Sequence, residues 1–410
     1  MKTFTKILLP VLAAFVLSGC LKDKMSRTYT IYTPVYKSKQ EVLQEITSKP
    51  ARSIEASGKI YVYGNYLFVS EIDKGVHVID NSNPSNPVNK SFINIPGNQD
   101  IAVKGNTLFA DLYTDMLAID ISDPLAAHIT SVSASVFPER NSGTLVYFAP
   151  DTSRYIVDWI KKDTTVPYSD TYDCRGCLFP NFSAAYSAAT PTIGIGGSMA
   201  RFSVVNNYLY AVNTNTLRSF DINNPASPVK VKDTPLRTGI ETIYPFADKL
   251  FIGSQDGMFI FDISNPANPV YVSMFSHARV CDPVVTDGDY AYVTLRAGST
   301  CGTTIKSQLN ILDITQMDSP KLIGQYDMSS PYGLGKDGNL LWICDGTAGL
   351  KMYDAANPQA IQLKTTVTSI EPYDVIPNNG KLIVSAKQGI IQYDYSHPGQ
   401  MTELSRLKKN

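Results

Sequence analysis

Residues 257–270 read Gly-Met-Phe-Ile-Phe-Asp-Ile-Ser-Asn-Pro-Ala-Asn-Pro-Val, and this stretch decides the fold. Its run from Met258 to Phe261 is apolar at every position, which is typical of a strand that is covered on both faces. Asp262 and Ser264 can hydrogen-bond their own backbone, and the prolines that follow fix φ, so the strand must end in a turn. The stretch therefore predicts a buried strand, a polar turn and the start of a second strand.

The same phrase returns along most of the chain. Its apolar run ends on an aspartate in seven copies, namely Asp80, Asp120, Asp221, Asp262, Asp313, Asp354 and Asp394. Four of the six intervals are 40 or 41 residues long, a period that indicates the blades of a β-propeller. We predict an all-β β-propeller of seven blades, each with four antiparallel strands. Eight blades, one of them degenerate, is the alternative, because one interval is about 60 residues too long for a single blade.

The phrase also resembles a known repeat. Written here as Val78-Ile79-Asp80 and Ala118-Ile119-Asp120, it is similar to the LVIVD repeat of bacterial surface and envelope proteins. The resemblance extends over residues 54 to 400 and implies a β-propeller. That family is known by its repeat rather than by a reaction, so the resemblance implies no substrate.

The first 20 residues predict a lipoprotein signal peptide. Lys2 and Lys6 precede an apolar run, and Leu17-Ser18-Gly19-Cys20 resembles a bacterial lipobox. Cys20 would then carry acyl chains, which would be the only attachment to a membrane. An ordinary signal peptide with a chance cysteine is the alternative. By resemblance to other lipoproteins, Leu21 after the cysteine favours the outer membrane and leaves the leaflet open.

Residues 21–53 connect this anchor to the propeller, which we place at residues 54–410 with an insertion at 138–198. Within the connection, Thr28 to Tyr36 alternates β-forming residues and predicts an edge strand on a blade. Ser38 to Ser48 begins with a capping-box pattern and predicts a short helix packed against the propeller.

Each blade can be divided into strands A to D. The pattern around the quoted stretch places strand A at 243–246, strand B at 250–253, strand C at 258–262 and strand D at 270–274. Strand A lies innermost in a propeller and lines the central channel. The insertion contains a plausible hairpin, Leu145 to Phe148 with Tyr155 to Ile160.

The cysteine pattern suits an oxidising envelope. Cys281 begins a strand A and Cys301 follows the antiparallel strand B, so their ends share one propeller face and predict a structural disulfide. Cys174 and Cys177 form a CxxC motif without a thioredoxin-like βαβ context, so a second structural disulfide is the better interpretation. Cys344, in an apolar strand, is expected to be a buried thiol.

Several function classes are disfavoured. The formal charge is −1 and no basic run follows any strand, which argues against a nucleic-acid partner. The four histidines lie far apart, and no Gly-x-Ser-x-Gly elbow or phosphate loop in a strand–helix setting is present. We therefore expect no metal site and no cofactor.

The best constellation comes from aligning the blades. The residue eight positions before each strand B falls at the start of strand A, at one mouth of the channel, and this ring includes Thr242 and Gly333. Arg279, Arg296 and the insertion would lie on the same face. The candidate ligand-binding residues are Lys59, Asp100, Arg201, Glu241, Arg279, Asp282, Arg296, Tyr332 and Asp374. The alternative is that the ring forms internal ion pairs around a wet tunnel.

The sequence favours a lipid-anchored envelope protein that binds a small molecule, a glycan or an envelope protein without catalysis. One alternative is an enzyme acting on a sugar or lactone, with Asp100, Asp282 or Asp374 as acid and base. Another is a purely structural subunit of an outer-membrane complex. An open aromatic mouth would favour ligand binding, whereas a plugged mouth would favour a scaffold.

Overall fold

The structure is a computed structural model that describes residues 26–55, 57–138, 154–167, 197–237, 239–277, 283–298, 306–397 and 400–409. The chain divides into two compact units. The first contains Met1–Lys37 and Tyr155–Ala184, and the second contains Ser38–Arg154 and Ala185–Asn410.

The first unit contains a two-stranded sheet of β1 (Ser26–Ser38) and β11 (Arg154–Pro167). The Thr28 hydroxyl lies 2.9 Å from that of Thr165, and the Thr30 hydroxyl donates to Asp163 Oδ1 at 2.7 Å. The partner of Thr30 thus precedes the partner of Thr28 in sequence, so the two strands run antiparallel.

The pairing of β1 corrects one prediction. The strand expected at Thr28 to Tyr36 forms, but it pairs with β11 and not with a blade. The physical reason is length: β1 has 13 residues and β11 has 14, whereas an outer blade strand such as Val88–Asn94 has seven. The predicted strand at Tyr155 to Ile160 is part of β11, and its expected hairpin partner lies outside the described residues.

The described part of the second unit contains seven antiparallel sheets, each built from four strands that are consecutive in sequence. We number them blades 1 to 7. Blade 1 contains β3 (Ser57–Tyr63), β4 (Tyr66–Glu71), β5 (Gly75–Asp80) and β6 (Val88–Asn94). Blade 2 contains β7 (Ile101–Lys104), β8 (Thr107–Leu112), β9 (Asp115–Asp120) and β10 (His128–Ser133). Blade 3 contains β12 (Phe202–Val205), β13 (Tyr208–Val212), β14 (Thr216–Asp221) and β15 (Val229–Pro235).

The remaining strands follow the same order. Blades 4 and 5 contain β16 (Ile240–Phe246), β17 (Lys249–Ser254), β18 (Gly257–Asp262) and β19 (Val270–Ser276); and β20 (Val284–Thr286), β21 (Tyr290–Leu295), β22 (Gln308–Asp313) and β23 (Lys321–Asp327). Blades 6 and 7 contain β24 (Leu334–Asp337), β25 (Leu340–Cys344), β26 (Leu350–Asp354) and β27 (Gln362–Val367); and β28 (Pro372–Asn378), β29 (Lys381–Ala386), β30 (Gly389–Asp394) and β31 (Thr402–Lys408). In the described part of the chain, 3₁₀ turns lie at Gly197–Met199 and Gly346–Ala348.

The blades form a closed ring. The first strand of each blade contacts the first strand of the next, and β3 of blade 1 contacts β29 of blade 7. At this junction the Ser57 and Ser385 hydroxyls lie 3.1 Å apart, and Gln392 Nε2 donates to Asn81 Oδ1 at 2.7 Å. The predicted β-propeller is therefore confirmed. Its blade count for the whole chain stays a prediction, because most of the insertion is not described.

The quoted strand shows how the sequence builds the core. On β18, Met258 and Ile260 pack with side chains of blade 5, whereas Phe259 and Phe261 pack with side chains of blade 3. The strand is thus covered on both faces, as its unbroken apolar run predicts. Full burial of one such side chain contributes about 2 kcal/mol.

The turn after this strand repeats with the blades. Asp262 Oδ1 accepts the backbone N–H of Ser264 at 2.8 Å and also its hydroxyl, and the same pair forms at Asp80, Asp120, Asp313 and Asp394. The Ser264 hydroxyl and the Lys249 ammonium lower the pKa of Asp262 to about 2. The carboxylate therefore stays ionised and fixes the exit of the strand.

The helix predicted from the capping box is also confirmed. Helix α1 (Lys39–Glu45) has Ser38 as its N-cap, with reciprocal hydrogen bonds to Glu41. It lies beside Ile129 of blade 2. It ends at Glu45, before the predicted end at Ser48, because Ser48 already begins β2 (Ser48–Pro50). Strand β2 pairs antiparallel with β6 and adds a fifth strand to blade 1.

Candidate functional site

Three ring residues meet inside the propeller. Lys59 Nζ lies 2.6 Å from Asp100 Oδ1, and each side chain is only 3% exposed. Asp100 Oδ2 also accepts the backbone N–H groups of Arg201 and Phe202, the latter at 3.1 Å. One carboxylate thus joins the innermost strands of blades 1, 2 and 3, and its oxygens are occupied by partners from the chain itself.

Asp374 is the second buried carboxyl of the ring and is 1% exposed. Burial raises the pKa of Asp374 well above its ordinary value, and the nearby Lys59 ammonium only partly opposes this. The Ser198 hydroxyl and the Val375 N–H lie close to the carboxyl without reaching hydrogen-bond geometry. Asp374 therefore remains neutral over a wider pH range than an exposed aspartate does.

Gly333 explains how this carboxyl fits. A Cβ on Gly333 would lie 2.0 Å from Asp374 Oδ1, which no side chain tolerates. The ring position of blade 6 is thus a glycine because the ring residue of blade 7 occupies its side-chain space.

The 3₁₀ turn Gly197–Met199 fills the centre of the ring. It contacts the innermost strands of blades 1, 4, 5, 6 and 7. Ser198 Oγ accepts the Leu334 N–H at 2.9 Å, and the Ala200 carbonyl accepts the Ile243 N–H at 2.7 Å. Ser198, Met199 and Ala200 are buried. The turn thus lies against Asp374, and Lys59, Asp100 and Asp374 are all buried.

A different group of side chains is partly exposed at the same mouth. Arg296 follows β21, Tyr332 precedes β24, and Tyr373 lies at the start of β28. The Arg296 guanidinium carbon lies 4.2 Å from the centre of the Tyr332 ring. That ring meets Tyr373 edge-on, with ring centroids 5.7 Å apart and an interplanar angle of 72°. We call Arg296, Tyr332 and Tyr373 the mouth platform.

The backbone holds this platform in place. The Thr294 hydroxyl donates to the Tyr332 carbonyl at 2.7 Å, and the Tyr332 N–H donates to the Cys344 carbonyl, also at 2.7 Å. These bonds fix the Tyr332 backbone between the second strands of blade 5 and blade 6. The Tyr332 ring itself contacts Arg296 and Tyr373.

The charges around the platform are unevenly partnered. Within the described residues, the Arg296 guanidinium has no hydrogen bond or ion pair, and its contact is with the ring of Tyr332. Glu371, beside Tyr373, is paired with Lys387 Nζ at 2.9 Å. Burial, followed by the Glu371 carboxylate, raises the pKa of Tyr373 to about 12. The platform thus offers one unpaired cation and a phenol that stays neutral.

The other candidate residues are placed as follows. The Arg201 side chain is partly exposed, and its backbone holds Asp100. Glu241 Oε1 accepts a hydrogen bond from Gln255 Nε2 at 3.2 Å. The residues outside the described part of the chain are Cys20, Cys174, Cys177, Arg279, Cys281, Asp282 and Cys301, and their roles stay predictions. Cys344 is fully buried, as predicted, and burial raises the pKa of its thiol.

Sequence reasoning missed two contributors. Tyr373 stands one residue before the ring position of blade 7, as Glu241 and Tyr332 do in blades 4 and 6, so the same alignment could have identified it. Ser198 carries no such signal, because it precedes blade 3 at the end of the insertion and belongs to no repeated position.

A polar cluster away from the mouth explains one histidine. Glu71 Oε2 lies 2.7 Å from His77 Nε2 and 2.9 Å from Arg52 Nη2 inside blade 1. Burial alone would raise the pKa of Glu71, but these two partners lower it. His77 therefore serves internal packing and pairing.

No group of three or more His, Cys, Asp or Glu side chains in the described part of the chain is arranged to hold a metal ion. No helix there has the length and apolar character needed to cross a membrane.

The fold and the repeat agree on the class of protein. A closed ring of four-stranded antiparallel sheets defines a β-propeller. The LVIVD repeat matches residues 56–94, 97–129, 196–233 and 249–276. The chain is therefore a β-propeller that carries LVIVD repeats, as its sequence indicates.

Solved structures support the fold and no more. A computationally designed protein, Ika8, superposes with a TM-score of 0.54 at 9% identity, over 88% of this chain and 91% of its own. BamB from Moraxella catarrhalis superposes with a TM-score of 0.51 at 9% identity, over 90% of this chain and 98% of its own. Sqt1 from Saccharomyces cerevisiae gives 0.50 at 8% identity, over 86% of each chain. None of the curated proteins matches this sequence.

Proposed function

We propose that this protein is a lipid-anchored β-propeller of the cell envelope that binds a ligand or a partner at the channel mouth without catalysis. The observation that carries the proposal is the mouth platform. It is partly exposed, it is held by backbone hydrogen bonds, and it presents a guanidinium without a polar partner among the described residues. Unpaired donors beside open aromatic rings are typical of a binding surface.

Two of the three carboxyls named as a possible acid and base do not favour catalysis, and the third, Asp282, lies outside the described residues. Asp100 already accepts hydrogen bonds from two backbone N–H groups and faces Lys59, and Asp374 is buried beside Ser198. A general acid or base must reach the proton that it transfers. Because Asp100 and Asp374 are both buried, neither is placed to do so, and binding is the better-supported function.

The location rests on the sequence. The lipobox-like Leu17 to Cys20 favours acylation of Cys20 and attachment to an outer membrane, in a leaflet that the sequence leaves open. The resemblance of the repeats to those of bacterial envelope proteins favours the same compartment. Changing Cys20→Ser should release the protein from the membrane fraction, and palmitate labelling that persists in this variant would contradict the anchor.

A structural subunit docked through its outer strands is the remaining alternative, and the turn that fills the centre of the ring favours it. Hydrogen–deuterium exchange distinguishes this alternative from mouth binding. The mature lipoprotein in detergent would be compared with and without a detergent extract of the cell envelope. We expect slower exchange around residues 294–298 and 330–333 and at the start of β28. Protection confined to outer strands such as β19 or β23 would overturn binding at the mouth and favour the structural subunit.

A further inference from the structure

We infer that the mouth platform binds a carboxylated sugar residue, such as a uronic acid within a glycan. The inference rests on the proposed binding function of the mouth and specifies its ligand. It starts from Arg296, whose guanidinium face lies on the Tyr332 ring while its N–H donors have no acceptor among the described residues. A stacked guanidinium keeps its in-plane N–H groups for a second partner, and their fork matches a carboxylate.

The tyrosines add the second element of recognition. Tyr332 and Tyr373 are partly exposed, and within the described residues neither phenol forms a hydrogen bond. Because Tyr373 has a pKa of about 12, its phenol remains a neutral donor and acceptor beside an apolar ring face. A sugar ring requires this combination, since it presents C–H groups on its faces and hydroxyls at its edge.

The charge balance argues against a polyanion. The platform has one guanidinium without a polar partner among the described residues, and the Glu371 carboxylate lies close to Tyr373. A phosphate-rich ligand needs several cations, and this carboxylate would repel it. It would instead accept hydrogen bonds from sugar hydroxyls. A ligand with many hydroxyls and a single negative charge therefore fits best.

The test uses galacturonic acid and its methyl ester, which differ by one negative charge and one methyl group. Isothermal titration calorimetry on the mature protein in detergent should show the acid binding at least tenfold more tightly than the ester. Arg296→Gln should weaken binding of the acid about tenfold, as expected for the loss of one charge-assisted contact. Lys321→Gln, which removes an exposed lysine on an outer strand, should leave binding unchanged.

A second variant protects the test against misfolding. Tyr373→Leu keeps an apolar side chain but removes the flat ring and the phenol, so it should weaken both the acid and the ester. Circular dichroism and thermal melting would establish that each variant is folded. If both variants are folded and bind the acid as tightly as the unchanged protein, the inference is wrong.

The remaining outcomes separate the ligand class from the site. Inorganic phosphate that binds as tightly as the acid and is lost in Arg296→Gln would overturn the sugar and leave an anion site. If no probe binds but Arg296→Gln abolishes the exchange protection given by envelope extract, the carboxylated sugar is wrong and mouth binding stands. If Arg296→Gln changes neither measurement, both the inference and the proposed mouth site fail.

Discussion

Replacing Lys59 with methionine tests whether the buried ring holds the propeller together. The ammonium lies 2.6 Å from Asp100 Oδ1, with both side chains 3% exposed, and methionine fills much of the same volume without the charge. Removing one partner of a buried ion pair leaves the other as an uncompensated charge, which costs about 3–5 kcal/mol. We expect the lower end, about 3 kcal/mol, because Asp100 keeps the N–H donors of Ile101, Arg201 and Phe202.

Urea unfolding followed by tryptophan fluorescence and circular dichroism would measure this loss. The double variant Lys59→Met/Asp100→Asn should recover about 2 kcal/mol of it, since an amide oxygen can still accept from the backbone and no charge remains buried. Lys306→Met is the matched control, because Lys306 forms an exposed ion pair with Asp327 and its loss should cost less than about 1 kcal/mol. A loss below about 1 kcal/mol in Lys59→Met would refute the reasoning.

Three further predictions concern the ring, the repeat and the cysteines. Asp374→Asn should raise the unfolding free energy at pH 7 and change it little at pH 3. A carboxyl whose pKa is raised in the folded state contributes its full stability below the unfolded pKa near 3.8, and this stability is lost as the pH rises through the folded pKa. An equal effect at both pH values in urea titrations would contradict this. Gly257→Ala should lower the free energy of unfolding by about 2 kcal/mol or more, because Gly257 has φ 154° and an added Cβ would lie 2.3 Å from the Phe275 carbonyl oxygen. Gly64→Ala is the control and should cost less, because a Cβ at Gly64 has open space. Peptide mapping without reductant should recover Cys281 linked to Cys301, and breaking this loop of about 20 residues should cost about 3 kcal/mol; free thiols at both positions would exclude the bond.

The fold was largely predictable because its signal is repeated. Every blade restates the same apolar strand and the same aspartate turn, so an ambiguity in one copy is resolved by the others. The pairing of β1 with β11 has no such support, since more than 100 residues separate the two strands and either pattern fits any exposed sheet edge. The capping box at Ser38 fixed the start of α1, but the end depended on tertiary pairing of Ser48.

The candidate site was predictable in position and less so in its members. Aligning the blades places residues around the channel axis, which is why Lys59, Asp100 and Asp374 were found together. Alignment does not tell which of them point inward beneath a turn and which remain at the surface. Ser198 decides that question, and it lies in a segment without repeat or period.

We infer that the buried ring supports the fold and that the mouth platform binds the ligand. Affinity and unfolding free energy, both measured on the variants Arg296→Gln and Lys59→Met, test this most directly. We predict that Arg296→Gln loses about tenfold in affinity for galacturonic acid and less than about 1 kcal/mol in stability. The ring variant should lose stability and keep its affinity. The opposite pattern, with binding lost in the ring variant and kept in Arg296→Gln, would contradict the claim.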